Sequence, residues 1–232
     1  EDRDILIIFR SPNPLAIGAK GKKVWFSCDQ YTIDSYRDFA PNVDVIVGIS
    51  EFHSDYFKDI YGIHNMTVID IPVRSWEYVD KAEKKHNSCI FTSVPDRGLM
   101  ELIPIWNMIT QEVPDATLTI TSDWSLWTGE NVSNYVSPHR SAWAGKPNVT
   151  YRGAVKRNEL VKIQQEAEYH LYPSTYAELF AISAAESQVA GALPIMSQTG
   201  ALRTTNMGVQ IEGVPASKEF IDRFVNKTVE LM

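Results

Sequence analysis

The residues whose types and spacing could do chemistry lie in one stretch, Tyr172-Pro173-Ser174-Thr175-Tyr176-Ala177-Glu178-Leu179-Phe180-Ala181-Ile182-Ser183-Ala184-Ala185-Glu186. Its pattern predicts a strand, a turn and an Ala-rich helix, with Glu178 just ahead of the helix. The first turn of such a helix leaves backbone N–H groups unpaired, here those of Ala181, Ile182 and Ser183. With the helix dipole they make an anion site suited to a diphosphate. Glu186 follows Glu178 by eight residues, a rise of about 12 Å if all eight were helical. That is the scale on which one carboxylate could accept from ribose hydroxyls and the other from sugar hydroxyls. A plainer alternative stands beside it: Glu178 as a charge favoured near a helix N-terminus and Glu186 as a solvated side chain. Glu186, however, sits among Ala184, Ala185, Ser187, Ala190 and Gly191, and a carboxylate packed among small residues needs partners.

The elements that must position this stretch alternate along the chain. Ile5–Phe9 is a fully apolar run, the mark of a strand buried on both faces. Further strands are expected at 24–27, 43–49 and 67–71. Ser50 is the cap of a helix over 51–61 that stops at Gly62. Residues 74–87 turn polar and charged and read as a linker. A second series follows: strands at 89–92, 116–121, 149–152, 169–172, 193–196 and 209–211, and helices at 98–112, 157–167, 181–190 and 218–231. Pro104 is expected to kink the first of these helices, and Asn158 to cap the second. The Ser-, Gly- and Trp-rich segment 122–147 reads as a long loop or short helices. Alternating strands and helices imply an α/β fold with parallel sheets, in two domains, 1–82 and 83–232. Ligands in such sheets bind beyond the carboxyl ends of the strands. The second series is long enough for a complete nucleotide-binding domain, whereas the first is expected to be incomplete.

Composition narrows the function classes. The chain has 232 residues, 44% of them hydrophobic and 22% charged, an ordinary globular balance. A net charge of −7 argues against bulk nucleic-acid binding, which needs a basic face. It leaves room for a local basic pocket around one phosphorylated small molecule, or a small patch touching anionic lipid. No apolar stretch approaches the roughly 20 residues of a membrane span. Cys28 and Cys89 fit no metal-ligand spacing and are expected as free thiols in a reducing compartment. The sequons at Asn65, Asn131, Asn148 and Asn226 read as chance, and the expected location is cytoplasmic. Trp106 is expected in the core, Trp124 and Trp127 as packing residues or sugar-stacking rings. His53 and His64 are expected as packing or surface residues, and Asp29, Asp34 and Asp38 are too spread to form a site.

At this point the sequence resembles the family-4 retaining glycosyltransferases of the GT-B fold, whose E-x7-E motif Glu178 and Glu186 match. Four other segments follow the family's order: Ser93-Val94-Pro95-Asp96-Arg97-Gly98-Leu99 resembles its basic loop, and Val113-Pro114-Asp115-Ala116-Thr117-Leu118-Thr119-Ile120 the strand that follows. Arg152-Gly153-Ala154-Val155 with Glu159-Leu160 is similar to its glycine loop, and Ala190-Gly191-Ala192-Leu193-Pro194-Ile195 to the strand entry after the motif helix. The resemblance implies two Rossmann-like domains, with the incomplete N-terminal one on the acceptor side. It implies Glu178 on the donor sugar hydroxyls, Glu186 on the ribose, and Arg97 neutralising the leaving diphosphate. Phe180, Ala181, Ile182 and Ser183 would contact sugar and phosphate, Gly153 and Val155 would line the base, and Ser93 and Tyr176 complete the donor-binding set. No metal or separate cofactor is implied: a nucleotide diphosphate sugar is the donor substrate, and a glycan or lipid-linked molecule the acceptor. The chain departs from the family at Ser93, where a second basic residue is usual, at Cys28, where a His often precedes Asp, and in its short N-terminal half. Two other readings remain: a nucleotide-sugar-binding module that lacks independent transfer or needs a partner chain, and, less favoured by the residues, a GT-B sugar epimerase.

Overall fold

The computed structural model describes residues 4–30, 35–128 and 137–232. The Asn131 sequon, Asp34 and the Trp127 side chain lie outside the described residues. The chain forms two compact units, one of residues 1–72 with 178–180, the other of residues 73–177 with 181–232.

The first unit is a parallel sheet in the order β1 (Ile5–Phe9), β2 (Lys22–Phe26), β3 (Val45–Gly48), β4 (Met66–Val68), with α1 (Tyr36–Phe39) before β3 and α2 (Glu51–Tyr61) after it. α2 begins where the sequence predicts. The Ser50 side chain accepts from the His53 N–H at 3.0 Å, and Gly62 ends the helix in the left-handed region, φ 69°, where a Cβ would be costly. The core gathers Trp25, Tyr36, Phe39, Ile46 and Phe57. His53 is buried against the Phe57 ring, centroids 4.6 Å apart. Within this unit the Ser50 hydroxyl donates to the Leu179 carbonyl at 2.5 Å. The expectation that β1 is buried on both faces fails: Ile5, Ile7 and Phe9 are 61%, 68% and 69% exposed. β1 is an edge strand, where Phe9 stacks on the neighbouring Phe26 ring, centroids 6.3 Å apart, and still stays exposed.

The second unit is built on a six-stranded, wholly parallel sheet in the order β10-β9-β8-β5-β6-β7. In chain order its elements are β5 (Ser88–Thr92), α3 (Leu102–Glu112), β6 (Thr117–Thr121), α4 (Ser125–Thr128), α5 (Ser137–Trp143) and β7 (Val149–Tyr151). They continue with α6 (Arg157–Glu166), β8 (Tyr169–Tyr172), α7 (Ile182–Val189), β9 (Leu193–Ser197), α8 (Leu202–Thr205), β10 (Val209–Ile211) and α9 (Lys218–Leu231). The chain winds outward from β5 through β6 to β7, then crosses back to β8 and winds the other way. Every residue of β5 and β8 is buried, as expected of central strands covered on both faces. Trp106 lies fully buried on α3 and donates its indole N–H to the Pro147 carbonyl at 3.0 Å.

Several local expectations change. Pro104 is the third residue of α3, not its middle. A first-turn residue has no intrahelical partner for an N–H, so proline breaks no bond there and a kink is not required. α6 starts at Arg157 with Lys156 at the cap and no side-chain cap bond. Asn158 therefore lies inside the first turn. The segment expected as a linker carries a 3-10 turn, Ser75–Tyr78, whose Tyr78 is buried. Cys28 and Cys89 are free thiols, the first half-buried and the second buried.

Candidate functional site

The reversal of strand order between β5 and β8 is a topological switch point, where the loops leaving two central strands diverge and open a crevice. Both loops carry residues singled out by sequence. Past β5, the Ser93 hydroxyl lies 3.1 Å from the Tyr172 hydroxyl at the end of β8. Gly98 has φ 102°, and a Cβ there would lie 2.6 Å from the Pro173 carbonyl oxygen. Only glycine lets these two loops lie on one another. The Ser174 carbonyl accepts from the Ser197 and Thr199 hydroxyls at 2.7 and 2.6 Å, which fixes the second loop to the end of β9. Arg97, 6% exposed, donates to Asp96 Oδ2 at 3.1 Å, and its guanidinium carbon sits 3.3 Å from the centre of the Tyr176 ring. The fold thus brings Ser93, Arg97 and Tyr176 to the two sides of the switch point.

α7 begins one residue later than expected. Ala181 is its cap, in the left-handed region at φ 66° and without a side-chain cap bond. The N–H groups of Ala184 and Ala185 turn back to the Ala181 carbonyl. Those of Ile182 and Ser183 bond no described residue, so the first turn offers two donors to an anion. The break at Ala181 also cancels the eight-residue helical rise: only the four steps from Ile182 to Glu186 are helical, about 6 Å. Glu178 and Phe180 group with the first unit, whereas Glu186 belongs to the second.

Beneath the α7 N-terminus lies a pocket of about 100 Å³. Four residues predicted for donor binding line it: Ser93, Val155, Ser183 and Glu186. Thr92, Thr121, Leu126, Ala154 and Leu160 complete the wall. Its size is well below the roughly 300–1,000 Å³ of pockets that enclose whole drug-sized ligands, so it suits one ring of a larger molecule. Gly153 stands beside it at φ 69°, which explains a glycine in that loop. The Thr92 and Thr121 hydroxyls are buried with no partner among the described residues.

Glu186 is 8% exposed. The partner its burial requires is Arg157, the first residue of α6, whose Nη1 lies 2.8 Å from Glu186 Oε1. The same guanidinium reaches Glu77 Oε2 at 2.6 Å and donates to the Tyr78 hydroxyl at 3.2 Å. Tyr78 in turn donates to Gln164 Oε1 at 2.7 Å. Burial opposes the charge on Arg157, but the hydrogen bonds to Glu186 and Glu77 outweigh it and its pKa rises. Burial, with the Glu186 charge behind it, pushes the Tyr78 phenol up to about 12. Sequence reading missed Arg157, Glu77, Tyr78 and the two threonines. The one available signal was a second arginine closing the Arg152-Gly153-Ala154-Val155-Lys156-Arg157 loop.

Elsewhere, Trp124 meets the His139 ring edge-on with centroids 5.6 Å apart, and Asp29 is paired with Arg10 at 2.6 Å. Among the described residues no group of three His, Cys, Asp or Glu could hold a metal ion, and no helix is long and apolar enough to cross a membrane.

No family model matches the chain. Over 174 residues it is 25% identical to YqgM of Bacillus subtilis (strain 168), named an uncharacterized glycosyltransferase, covering 73% of this chain and 46% of that protein. The chain thus spans about half the length of the curated relative it matches. Among solved structures it is similar to the pneumococcal O-GlcNAc transferase GtfA in complex with UDP and GlcNAc, with a TM-score of 0.65 at 17% identity over 93% of this chain and 46% of that one. It is also similar to HepE of Anabaena in complex with UDP-glucose, with a TM-score of 0.71 at 14% identity over 93% of this chain and 64% of that one. At these identities the likeness is one of fold: an α/β chain with parallel sheets, similar to the GT-B glycosyltransferases.

Proposed function

We propose that the chain binds a nucleotide diphosphate sugar in its second unit and serves as the donor-side part of a glycosyltransferase. One observation carries this reading: the pocket at the switch point collects Ser93, Val155, Ser183 and Glu186 at the N-terminus of α7. A ring bound there lies against Val155 and Gly153, a ribose reaches the Glu186 carboxylate, and a diphosphate meets the open N–H groups of Ile182 and Ser183. Arg97 supplies the cation that stabilises the departing diphosphate, and Glu178 holds hydroxyls of the donor sugar. The resemblance to retaining GT-B enzymes supports transfer of a hexose with retention at the anomeric carbon, without a metal ion, to a glycan or lipid-linked acceptor. The UDP complexes among the similar structures favour a uridine donor as the first to test.

The test is a thermal-shift screen against UDP-, GDP-, ADP- and dTDP-sugars. A ligand at 100 times its Kd stabilises the folded state by about 2.7 kcal/mol, so the cognate donor should raise Tm by several degrees. Glu186→Ala should remove that shift. A screen in which no nucleotide sugar moves Tm rejects the reading. A second reading, donor binding without independent transfer, is favoured by the containment of the whole pocket in the second unit. Donor hydrolysis or transfer by the chain alone would reject it.

A further inference from the structure

We infer that Arg157 is a positioning residue for nucleotide binding, which acts by holding one oxygen of the Glu186 carboxylate and leaving the other for a ligand hydroxyl. The inference rests on the donor-site reading above and assigns the residue that makes that site preformed. Glu186 lines the pocket, and its Oε1 is held by Arg157 at 2.8 Å. Its Oε2 bonds no described residue, so one acceptor is committed and one is available. A carboxylate buried to this degree needs a partner for its oxygens, and a hydrogen bond assisted by the paired charges is stronger than a neutral one.

Arg157 is in turn held so that it cannot swing away. It opens α6, its Nε and Nη2 both lie 2.6 Å from Glu77 Oε2, and its Nη2 donates to the Tyr78 hydroxyl at 3.2 Å. Tyr78 accepts from Arg157 and donates to the fully buried Gln164, so both capacities of its hydroxyl are used and its ring is fixed. The 3-10 turn Ser75–Tyr78, itself outside the pocket lining, thereby sets the orientation of a pocket wall through this arginine. A fork with donors on three sides serves two carboxylates and a phenol at once. A lysine, a single point charge, cannot do so.

A double-mutant cycle tests this, with Kd for UDP, GDP, ADP and dTDP measured by calorimetry on the full chain and folding checked by thermal melts. In the wild-type background Arg157→Gln should weaken the best-bound nucleotide about tenfold, the effect expected from losing one well-placed charge-assisted hydrogen bond. On top of Glu186→Gln it should add less than about twofold, because the residue it acts through is already neutral. Arg157→Lys, cycled with Glu186→Gln in the same way, should lose less than Arg157→Gln, and it carries the comparison if the glutamine variant does not fold. Equal losses in both backgrounds overturn the inference while leaving the donor site intact. If none of the four nucleotides binds the wild-type chain, the donor-site reading itself fails, and the inference fails with it.

Discussion

Gly98 shows how much a single residue decides here. Its φ of 102° lies in the region that side chains avoid, and a Cβ would meet backbone atoms of Pro173 at 2.6 and 2.8 Å and of Ser174 at 3.0 Å. No flexible side chain can give way. Gly98→Ala should therefore cost about 2 kcal/mol or more and lift the loop that carries Ser93 and Arg97 off its neighbour. The expected outcome is a protein that still melts cooperatively, at a lower Tm, and binds nucleotide at least tenfold more weakly. Unchanged Tm and Kd would show that the two loops do not need this contact. At this scale the sequence is informative where chemistry is local. The need of Glu186 for a partner follows from its small neighbours. The identity of that partner does not, because Arg157 comes from another helix 29 positions earlier and only tertiary packing joins them. The threonines of the pocket were invisible for the same reason: Thr92 and Thr121 read as ordinary strand residues until β5 and β6 are set side by side.

At the scale of elements, helices α6 and α7 are tied at their far ends by one side chain. Lys84 Nζ donates to the Ala167 carbonyl at 2.7 Å and to the Ala190 carbonyl at 3.0 Å, the cap residues that end α6 and α7. A cation at two helix C-termini satisfies orphan carbonyls and opposes the negative ends of both dipoles. Lys84→Met should lower stability by about 2 kcal/mol, a fall in Tm of roughly 4–8 °C for a domain of this size. A shift under 1 °C would place this lysine among the ornaments of the surface. The strands and helices themselves were largely legible, since apolar runs and caps are local signals. β8, β10 and α9 fall where the pattern puts them. The misses have a common cause: burial of β1, the kink at Pro104 and the cap of α6 each depend on what lies next to the element or on one residue of phase, which local pattern does not carry.

For the whole molecule, pH reaches both units through buried imidazoles. Burial lowers the pKa of His53 from 6.5 to about 4 and of His170 from 6.5 to about 3. His53 lies in the core of the first unit. His170 sits in β8 with its Nδ1 2.8 Å from the Ser187 hydroxyl. Both folded-state values lie below the unfolded value, so the unfolded chain binds protons first as pH falls. The stability they contribute is complete above pH 6.5 and is lost as pH drops through 4 toward 3. Melts should give a level Tm from pH 8 to 7 and a decline that begins near pH 6, above the range in which carboxylates titrate. A level Tm from pH 7 to 5 would mean that both rings take up protons without unfolding.

The contact between Ser93 and Tyr172 joins residues 79 positions apart, and this sets a clock on the site. A ribosome adding 5–20 residues per second needs roughly 4–16 s to make the chain between them. Until β8 emerges and pairs with β5, and α7 follows with Ser183 and Glu186, the pocket lacks its last wall and the proposed nucleotide has no complete site. Ligand therefore cannot guide the early strands together. It can act only afterwards, by mass action on the finished sheet, so in a growing chain nucleotide binding would be a signature of completion rather than a template for folding.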